Sequence, residues 1–159
     1  MAEFSGRLRP VGRVAILASR YNELVTSRLV EGARACCREA GIAEEDVDLV
    51  WTPGAFELGA AASAAAQSGR YACLIALGAV IRGDTAHFEF VAGEAARGLS
   101  EVAVRYGLPV AFGVLTTDTL EQALARAGGA AGNKGHEAAA AAITLADGLA
   151  RLRSGDAQS

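Results

Sequence analysis

The sequence predicts an α/β fold of three layers, in which a four-stranded parallel sheet lies between helices. Short apolar segments of strand length alternate along the chain with longer segments whose apolar residues recur at helical spacing. Residues 72–79 are apolar throughout, which is typical of a strand covered on both faces. Because no repeat or long linker interrupts this alternation, we expect residues 1–159 to form a single domain.

The first third of the chain contains a polar arm, a strand and a helix. Residues 1–10 are polar and include one proline, so we expect an N-terminal arm that is free to pair with a neighbouring subunit. Residues 11–18 predict the first strand, and residues 23–40 predict the first helix. Asn22 is a favourable N-cap for this helix, and Gly41 is favourable just after its end.

The middle of the chain predicts two strands around a short helix. Residues 46–51 predict the second strand, which ends in the turn-forming sequence Thr-Pro-Gly at 52–54. The alanine-rich residues 56–67 predict a helix that closes at Gly69, and residues 72–79 predict the third strand.

A long helix and the last strand follow. Residues 88–106 have helical spacing and are stopped by Gly107 and Pro109, and residues 110–115 predict the fourth strand. Next, Asp118 with Glu121 three positions later predicts a capping box.

The last segments are a helix from this capping box to about Gly128, a helix at residues 134–153 and a polar tail at residues 155–159. This order of elements predicts the doubly wound sheet of flavodoxin-like proteins, in which ligands bind beyond the carboxyl ends of the strands. Each loop that follows a strand holds polar or aromatic side chains beside turn-forming residues. We therefore expect one composite site, formed by residues 19–22, 52–57, 80–87 and 116–118.

Charge and composition argue against several kinds of partner. The net charge of −3 disfavours nucleic acid as the main partner, because phosphate backbones require a basic surface. The longest uncharged segment, residues 58–69, is too short to cross a bilayer, and the charges in residues 1–10 leave no signal-peptide core. Three cysteines, two of them adjacent, give no disulfide framework. We expect a cytoplasmic protein that binds neither nucleic acid nor membrane.

The third loop combines a candidate anion site with a candidate proton-transfer residue. Gly83 precedes a helix N-terminus, where free backbone N–H groups suit a phosphate. Asp84 and Thr85 lead to His87, whose imidazole could transfer protons near neutral pH. Capping of the helix is an equally good interpretation of His87. The other histidine, His136, begins the last helix and is interpreted as a structural or surface residue.

Four more side chains have both a functional and an ordinary interpretation. Glu57 could accept hydrogen bonds from hydroxyl groups and Phe56 could contact a planar ligand, or both could simply begin a helix with Phe56 in the core. Tyr21 could stack on a heterocycle or be an ordinary half-buried tyrosine. Arg126 could hold a phosphate or be solvated at a helix end. The histidines and cysteines have no metal-ligand spacing, so we expect no metal.

Five ordered segments around these loops resemble the lumazine synthase family. Together they span about residues 14–149. The segments are SRYN at 19–22, PGAFEL at 53–58, GAVIRGDTAHFEFV at 78–91, FGVLTTDTLEQALARAG at 112–128 and GNKGHEAAAAAI at 132–143. The resemblance implies condensation of 5-amino-6-(D-ribitylamino)uracil with 3,4-dihydroxy-2-butanone 4-phosphate to 6,7-dimethyl-8-ribityllumazine in riboflavin synthesis. It implies no cofactor, because the Schiff base forms between the two substrates.

The resemblance also implies a role for individual residues. His87 and Arg126 would be catalytic, with His87 as the general acid and base and Arg126 on the phosphate. Phe112 would reach the site from a neighbouring subunit, and Lys134, the one lysine of the chain, would lie close by. The other residues implied to bind substrate are Tyr21, Ala55, Phe56, Glu57, Ala79, Val80, Ile81, Gly83, Asp84 and Thr85.

A homo-oligomer is implied as well. The family forms pentamers, and the absence of an insertion between the last two helices resembles members that assemble 60-subunit shells, for which riboflavin synthase is a candidate partner. Two departures from the family are visible: Tyr21 replaces the common phenylalanine or tryptophan, and Gly129-Ala130 replaces a common Thr-Lys. A non-catalytic shell, a flavin- or ribityl-binding module and an archaeal-type riboflavin synthase remain alternatives.

Overall fold

A computed structural model describes residues 1–158 and confirms the predicted fold class. A four-stranded parallel sheet, in the order β2-β1-β3-β4, lies between two layers of helices. The strands are β1 Val14–Ser19, β2 Val47–Thr52, β3 Cys73–Ile81 and β4 Val110–Thr117. The α-helices are α1 Glu23–Glu39, α2 Leu58–Gln67, α3 His87–Tyr106, α4 Leu120–Ala125 and α5 Lys134–Ser154. Between residues 1 and 158, no helix has the length and apolar character needed to cross a bilayer.

The central strands β1 and β3 supply both hydrophobic cores. Successive side chains of a strand point to opposite faces, so each strand packs on two helical layers. Ile16 and Ile75 lie in the core formed with α1 and α5, whereas Leu17 and Leu74 lie in the core formed with α2 and α3. All four side chains are fully buried. Burial on both faces explains why these segments are apolar without alternation.

The strand order places a crevice at the carboxyl end of the sheet. From β1 the chain passes through α1 to β2 on one side, and then through α2 to β3 on the other side of β1. In doubly wound sheets ligands bind where the strand order reverses in this way. Here that position lies beyond Ser19 and Ile81, the last residues of β1 and β3.

Of the two predicted helix N-caps, Asn22 has the predicted position but does not cap α1 with its side chain, and the capping box of α4 is displaced. Asn22 precedes α1, but its backbone is left-handed, with φ 64°, and its side chain donates to the Ala79 carbonyl instead of capping the helix. The capping box of α4 is formed by Thr119 and Gln122, one residue later than predicted. The carboxylate of Asp118 is instead paired with a guanidinium 3.0 Å away.

Two other segments differ from the prediction. The helix predicted at residues 56–67 begins as a 3-10 turn, Ala55–Glu57, before α2. The segment between α4 and α5 is a small antiparallel hairpin of β5 Ala127–Gly129 and β6 Gly132–Asn133. Its glycine and alanine residues have no strand pattern, so the sequence did not predict it.

The N-terminal arm lies against α5 of its own chain. A Cβ atom at Gly6 would overlap the Thr144 carbonyl of α5, so only glycine permits this approach. The backbone N–H of Ser5 donates to the Gln158 side chain over 2.8 Å, which joins the arm to the polar tail. Ser159, the last residue of the predicted tail, lies outside the described residues. Pairing of the arm with a neighbouring subunit stays a prediction.

One ion pair between neighbouring strands is expected to make the fold sensitive to acid. Arg13 donates to Asp48 over 2.7 Å, and the Tyr71 hydroxyl donates to the same carboxylate over 2.6 Å. These hydrogen bonds, that of Arg13 first, lower the pKa of Asp48 to about 2. The stability that this carboxylate contributes is therefore present above an unfolded-state pKa of about 3.9 and lost as the pH falls toward 2.

Comparison of wild type with Asp48→Asn tests this expectation. The difference between their free energies of unfolding, measured in urea, should be largest at neutral pH and should shrink between about pH 4 and pH 2. Glu44→Gln removes an exposed carboxylate from the turn before β2 and serves as the control. A difference for Asp48→Asn that does not change with pH would contradict the assignment.

Candidate active site

Three of the four predicted loops meet in one open cleft at the carboxyl end of the sheet. The cleft has a volume of about 740 Å³ and lies at the position where the strand order reverses. Its lining residues are Tyr21, Asn22, Pro53, Gly54, Ala55, Phe56, Glu57, Ala79, Val80, Ile81, Gly83, Thr85, His87, Phe88 and Val91. Most of the residues singled out in the sequence are therefore neighbours in space.

Backbone hydrogen bonds join the first loop to the second. The N–H groups of Arg20 and Tyr21 donate to the carbonyls of Thr52 and Pro53 over 2.8 and 3.0 Å. The Arg20 guanidinium also lies over the Trp51 ring, 4.5 Å from its centroid. This contact fixes the loop, while the Tyr21 ring is 74% exposed rather than half-buried. A planar ligand could therefore stack on it.

Asn22 lies in a loop that the sequence predicts to be part of the site, but the predicted role of this side chain is only that of a helix cap. Its side-chain amide donates to the Ala79 carbonyl at the end of β3 over 2.9 Å. The left-handed backbone of Asn22 turns the chain into α1 and brings this amide back across the strand ends. Its position directly after the first strand, beside Tyr21, was the signal that could have identified it.

The second loop presents a ring and a carboxylate to the cleft. Phe56 is 56% exposed, which contradicts the interpretation that places it in the core. Glu57 is exposed beside it, while Ala55 is buried and anchors the turn. A Cβ atom at Gly54 would lie 3.4 Å from a Glu57 carboxylate oxygen, which is ordinary contact distance, so this carboxylate lies close to the Gly54 backbone.

The third loop carries the candidate anion site and His87. Gly83 and Thr85 line the cleft, and Asp84 is exposed between them. His87 is exposed, is the first residue of α3, and donates its backbone N–H to the Thr85 hydroxyl over 3.4 Å. The N–H groups of a first helical turn lack partners within the helix, so this loop offers donors to an anion.

Arg82 fixes this loop to two other elements, a role that the sequence did not reveal. Its guanidinium donates to Asp118 over 3.0 Å and to Glu89 of α3 over 2.6 Å. The hydrogen bond to Arg82 lowers the pKa of the Glu89 carboxyl. The same guanidinium lies 4.4 Å from the centroid of the Phe88 ring, next to His87. The loop is thereby held against both the start of α3 and the end of β4.

Replacement of Arg82 by alanine should lower kcat/KM for each of the two substrates that the family resemblance implies by about threefold to tenfold. Arg82 holds the loop of His87 in place, and misplaced groups in an active site lower the rate. Exposed ion pairs contribute little to stability, so the melting temperature should change little. Arg82→Lys, which keeps the charge, should recover part of the loss. Arg34→Ala removes an exposed ion pair with Glu31 on α1 and is the control. Equal activity of Arg82→Ala and wild type would contradict a positioning role.

Phe112, Arg126 and Lys134 lie in a second cavity of about 430 Å³. This cavity is bounded by β4, the start of α5 and the hairpin that precedes it, and within residues 1–158 it shares no lining residue with the first cleft. Phe112 is 40% exposed on the edge strand β4. Arg126 is exposed and donates to the Gln122 carbonyl at the end of α4 over 2.9 Å. One chain therefore carries two separate groups of the predicted site residues.

A larger cavity, of about 900 Å³, lies near the amino ends of the strands and the end of α5. It is lined by Val11, Ala72 and Pro109, which precede β1, β3 and β4. Ligand sites of doubly wound sheets lie at the opposite edge. Volume alone is therefore a poor guide, and the cleft beside His87 is the better candidate.

The sequence of the chain matches one known family. The family model for 6,7-dimethyl-8-ribityllumazine synthase matches residues 12–150, which is most of the chain and includes both cavities' candidate residues. The chain belongs to the lumazine synthase family.

Two relatives in this family show how similar the chain is to other lumazine synthases. The 6,7-dimethyl-8-ribityllumazine synthase of Gemmatimonas aurantiaca is 54% identical over 148 residues, covering 92% of this chain and 90% of the relative. That of Edwardsiella ictaluri is 51% identical over 145 residues, covering 91% and 93%. Among solved structures, a de novo designed Rossmann fold protein matches 70% of this chain and 90% of its own, with 16% identity and a TM-score of 0.38.

The structure gives a reason for one departure from the lumazine synthase pattern. Gly129, which stands where threonine is common, lies in the hairpin beside α4. A Cβ atom at this position would come within 2.8 Å of the Ala125 Cα. This tight hairpin therefore requires glycine, and a threonine would force the backbone to move.

Proposed function

We propose that this chain catalyses the condensation of 5-amino-6-(D-ribitylamino)uracil with 3,4-dihydroxy-2-butanone 4-phosphate, giving 6,7-dimethyl-8-ribityllumazine, phosphate and water. The observation that carries the proposal is the family match over residues 12–150. The cleft supports it, because an aromatic ring, a carboxylate and an imidazole line the same space. Residues 1–159 would act as a single domain in the cytoplasm.

The first two loops and the end of β3 would bind the ribitylaminouracil. The exposed ring of Tyr21 is available for stacking on the pyrimidine. The Glu57 carboxylate can accept hydrogen bonds from the ribityl hydroxyl groups, with Ala55 and Phe56 beside it. Backbone groups at the end of β3 would bind the uracil edge; these belong to Ala79, Val80 and Ile81.

The third loop would bind the phosphate of the second substrate. Gly83, Asp84 and Thr85 precede the N-terminus of α3, whose backbone donors favour an anion. A phosphate bound there would lie next to His87. Arg126 would add a charge-assisted hydrogen bond, with Lys134 in the same cavity.

His87 would move the protons that the reaction requires. The amine of one substrate attacks the ketone of the other, so that a C–N bond forms and the carbonyl oxygen leaves as water. Phosphate then leaves as an anion, and the enol left behind becomes a ketone. The ribityl-bearing nitrogen attacks this ketone, so that a second C–N bond closes the ring and a second water leaves. No covalent bond to the enzyme is needed, and the work of the site is orientation of two reactants and proton transfer. An exposed histidine directly after an anion-binding loop is suited to this work.

We further propose that the site is completed between subunits of a homopentamer. Phe112, Arg126 and Lys134 lie in a separate cavity from His87, so a neighbouring chain has to supply them if they contact the same substrate. Twelve pentamers would form a 60-subunit shell, with riboflavin synthase as a partner. Light scattering and negative-stain microscopy test this assembly, and a lone pentamer or a decamer would refute the shell.

One assay tests the proposed function against its alternatives. Both substrates are mixed with the purified protein, and the fluorescence of the lumazine product is followed. Turnover above the uncatalysed rate is the expected result. A bound yellow chromophore without turnover would instead support a flavin- or ribityl-binding module. If a correctly assembled protein showed no chromophore and no turnover, that result would support a non-catalytic shell. The 51% and 54% identical relatives are named as lumazine synthases, which disfavours the riboflavin synthase alternative.

A further inference from the structure

The packing of α1 on α5 brings together three side chains that are far apart in the sequence. The Cys36 Sγ, a Glu39 carboxylate oxygen and a ring nitrogen of His136 all lie within 4.8 Å of one another. The His136 Nε2 and Glu39 Oε2 atoms are 2.8 Å apart. Cys36 is fully buried, His136 is partly exposed, and Glu39 is exposed, so the cluster extends from the core to the surface.

Two close contacts fix α5 relative to α1 beside this cluster. A Cβ atom at Gly135 would overlap the Leu29 carbonyl, so the two helix backbones touch directly. Asn133 donates to the Arg28 carbonyl over 3.1 Å and accepts from the backbone N–H of His136 over the same distance. His136 is therefore held on a rigid support, as a preorganised ligand site requires.

We propose that Cys36, Glu39 and His136 form a Zn²⁺ site with three protein ligands and a fourth position open to water. A thiolate, an imidazole and a carboxylate are the ligands that Zn²⁺ takes in proteins, at about 2.0–2.3 Å. Atoms that lie within 4.8 Å of one another can surround one such ion after small side-chain rotations. The sequence prediction of no metal rested on spacing, which cannot detect ligands from two different helices.

Binding of the ion exchanges a proton and a hydrogen bond for metal bonds. The Cys36 thiol loses its proton to water as the sulfur–zinc bond forms, and His136 binds as a neutral imidazole. Glu39 turns its carboxylate from the imidazole to the metal. Without metal, burial raises the pKa of the Cys36 thiol to about 11, which keeps the thiol protonated and unreactive.

The site is distinct from the proposed catalytic cleft. None of its three residues lines the cleft or the cavity of Arg126, within the part of the chain that the structure describes. The proposed reaction needs no metal, so Zn²⁺ here would join α1 to α5 and stabilise the folded state. An ion that binds only the folded protein raises its free energy of unfolding by RT ln(1 + [L]/Kd), where [L] is the free ion concentration, and so raises its melting temperature.

Titration of the assembled, metal-free protein with Co²⁺ and then Zn²⁺ tests the proposal. Co²⁺ should produce a thiolate-to-metal charge-transfer absorption at one ion per chain, and Zn²⁺ should abolish it by displacement. Zn²⁺ should also raise the melting temperature. Binding without the charge-transfer absorption would show that the ion sits on other surface groups and would overturn the proposal. Absence of binding would overturn it too.

Three variants and one control identify the ligands. Glu39→Gln and His136→Gln change exposed or partly exposed side chains and are expected to fold. Each should weaken Zn²⁺ binding by about 100-fold or more, since even outer partners of metal ligands contribute 10–100-fold. Cys36→Ala should lose the cobalt–thiolate absorption, whereas Cys37→Ala, an equally small change at the adjacent buried cysteine, should keep it. Equal affinity of wild type and His136→Gln would contradict the site.

Discussion

Replacement of His87 by alanine is expected to lower kcat by about 10²–10⁴-fold and to leave turnover that is still measurable. This range is what a positioned general acid and base contributes. The remaining rate comes from the other part of the site, which binds two reactants side by side and lowers the entropy cost of their encounter. In the structure, Tyr21 and Glu57 line the cleft from loops other than that of His87, so the variant should keep the site for the pyrimidine.

Steady-state kinetics with both substrates, followed by lumazine fluorescence, measures this effect. The dissociation constant of the ribitylaminouracil, measured without the second substrate, is the control. It should stay within about threefold of the wild-type value, because the proton-transfer group is not needed for this substrate to bind. Complete loss of turnover with intact binding would contradict this division of labour. An unchanged kcat would remove His87 from the mechanism and favour its interpretation as a helix cap.

Arg126→Ala is expected to raise KM for 3,4-dihydroxy-2-butanone 4-phosphate by about tenfold to a hundredfold. A hydrogen bond to a charged group contributes about 1.5–3 kcal/mol, and this substrate has the phosphate that Arg126 would bind. The Arg126 guanidinium is exposed and has one backbone contact, to Gln122, so its removal leaves no buried charge without a partner. The fold should therefore be unaffected.

The separate KM values of the two substrates test this assignment. KM for the ribitylaminouracil should stay near that of wild type, because this substrate has no phosphate. Arg34→Ala, at a partly exposed arginine on α1, is the control and should change neither value. An unchanged KM for the phosphate substrate would remove Arg126 from this role.

The fold could be predicted because its determinants are local or periodic. The apolar segments that became β1 and β3 are buried on both faces, and the alternation of strand and helix limits the sheet to a parallel arrangement. Cap positions were less predictable, because tertiary contacts compete for the same side chains. The Asn22 side chain donates to the Ala79 carbonyl instead of capping α1, and Asp118 pairs with Arg82 instead of capping α4.

The meeting of three predicted loops could be expected from the sequence, but the position of the fourth group of residues could not. The three loops after β1, β2 and β3 meet as the strand topology requires. The separation of Arg126 from His87 within one chain depends on how β4 and the hairpin before α5 pack, which no sequence pattern specifies. The contact of Cys36 with His136 likewise depends on the crossing of α1 and α5, one hundred residues apart.

The central proposal is that His87 of one chain and Arg126 of its neighbour act on the same substrate. In a closed ring every interface would hold one such site. Two variants of low activity can then restore an intact site where the intact His87 of one chain meets the intact Arg126 of its neighbour. His87→Ala and Arg126→Ala are dissociated, mixed in equal amounts and reassembled, and mixing of subunits is verified by native mass spectrometry. Turnover is then measured at a low concentration of the phosphate substrate, where both parent variants are slow.

Random mixing places an intact His87 beside a neighbour's intact Arg126 at about one interface in four, so the mixed rings should recover about a quarter of wild-type turnover. If both residues acted from the same chain, every site would still lack either His87 or Arg126. Verified mixed rings that turn over no faster than the average of their two parents would contradict the shared site.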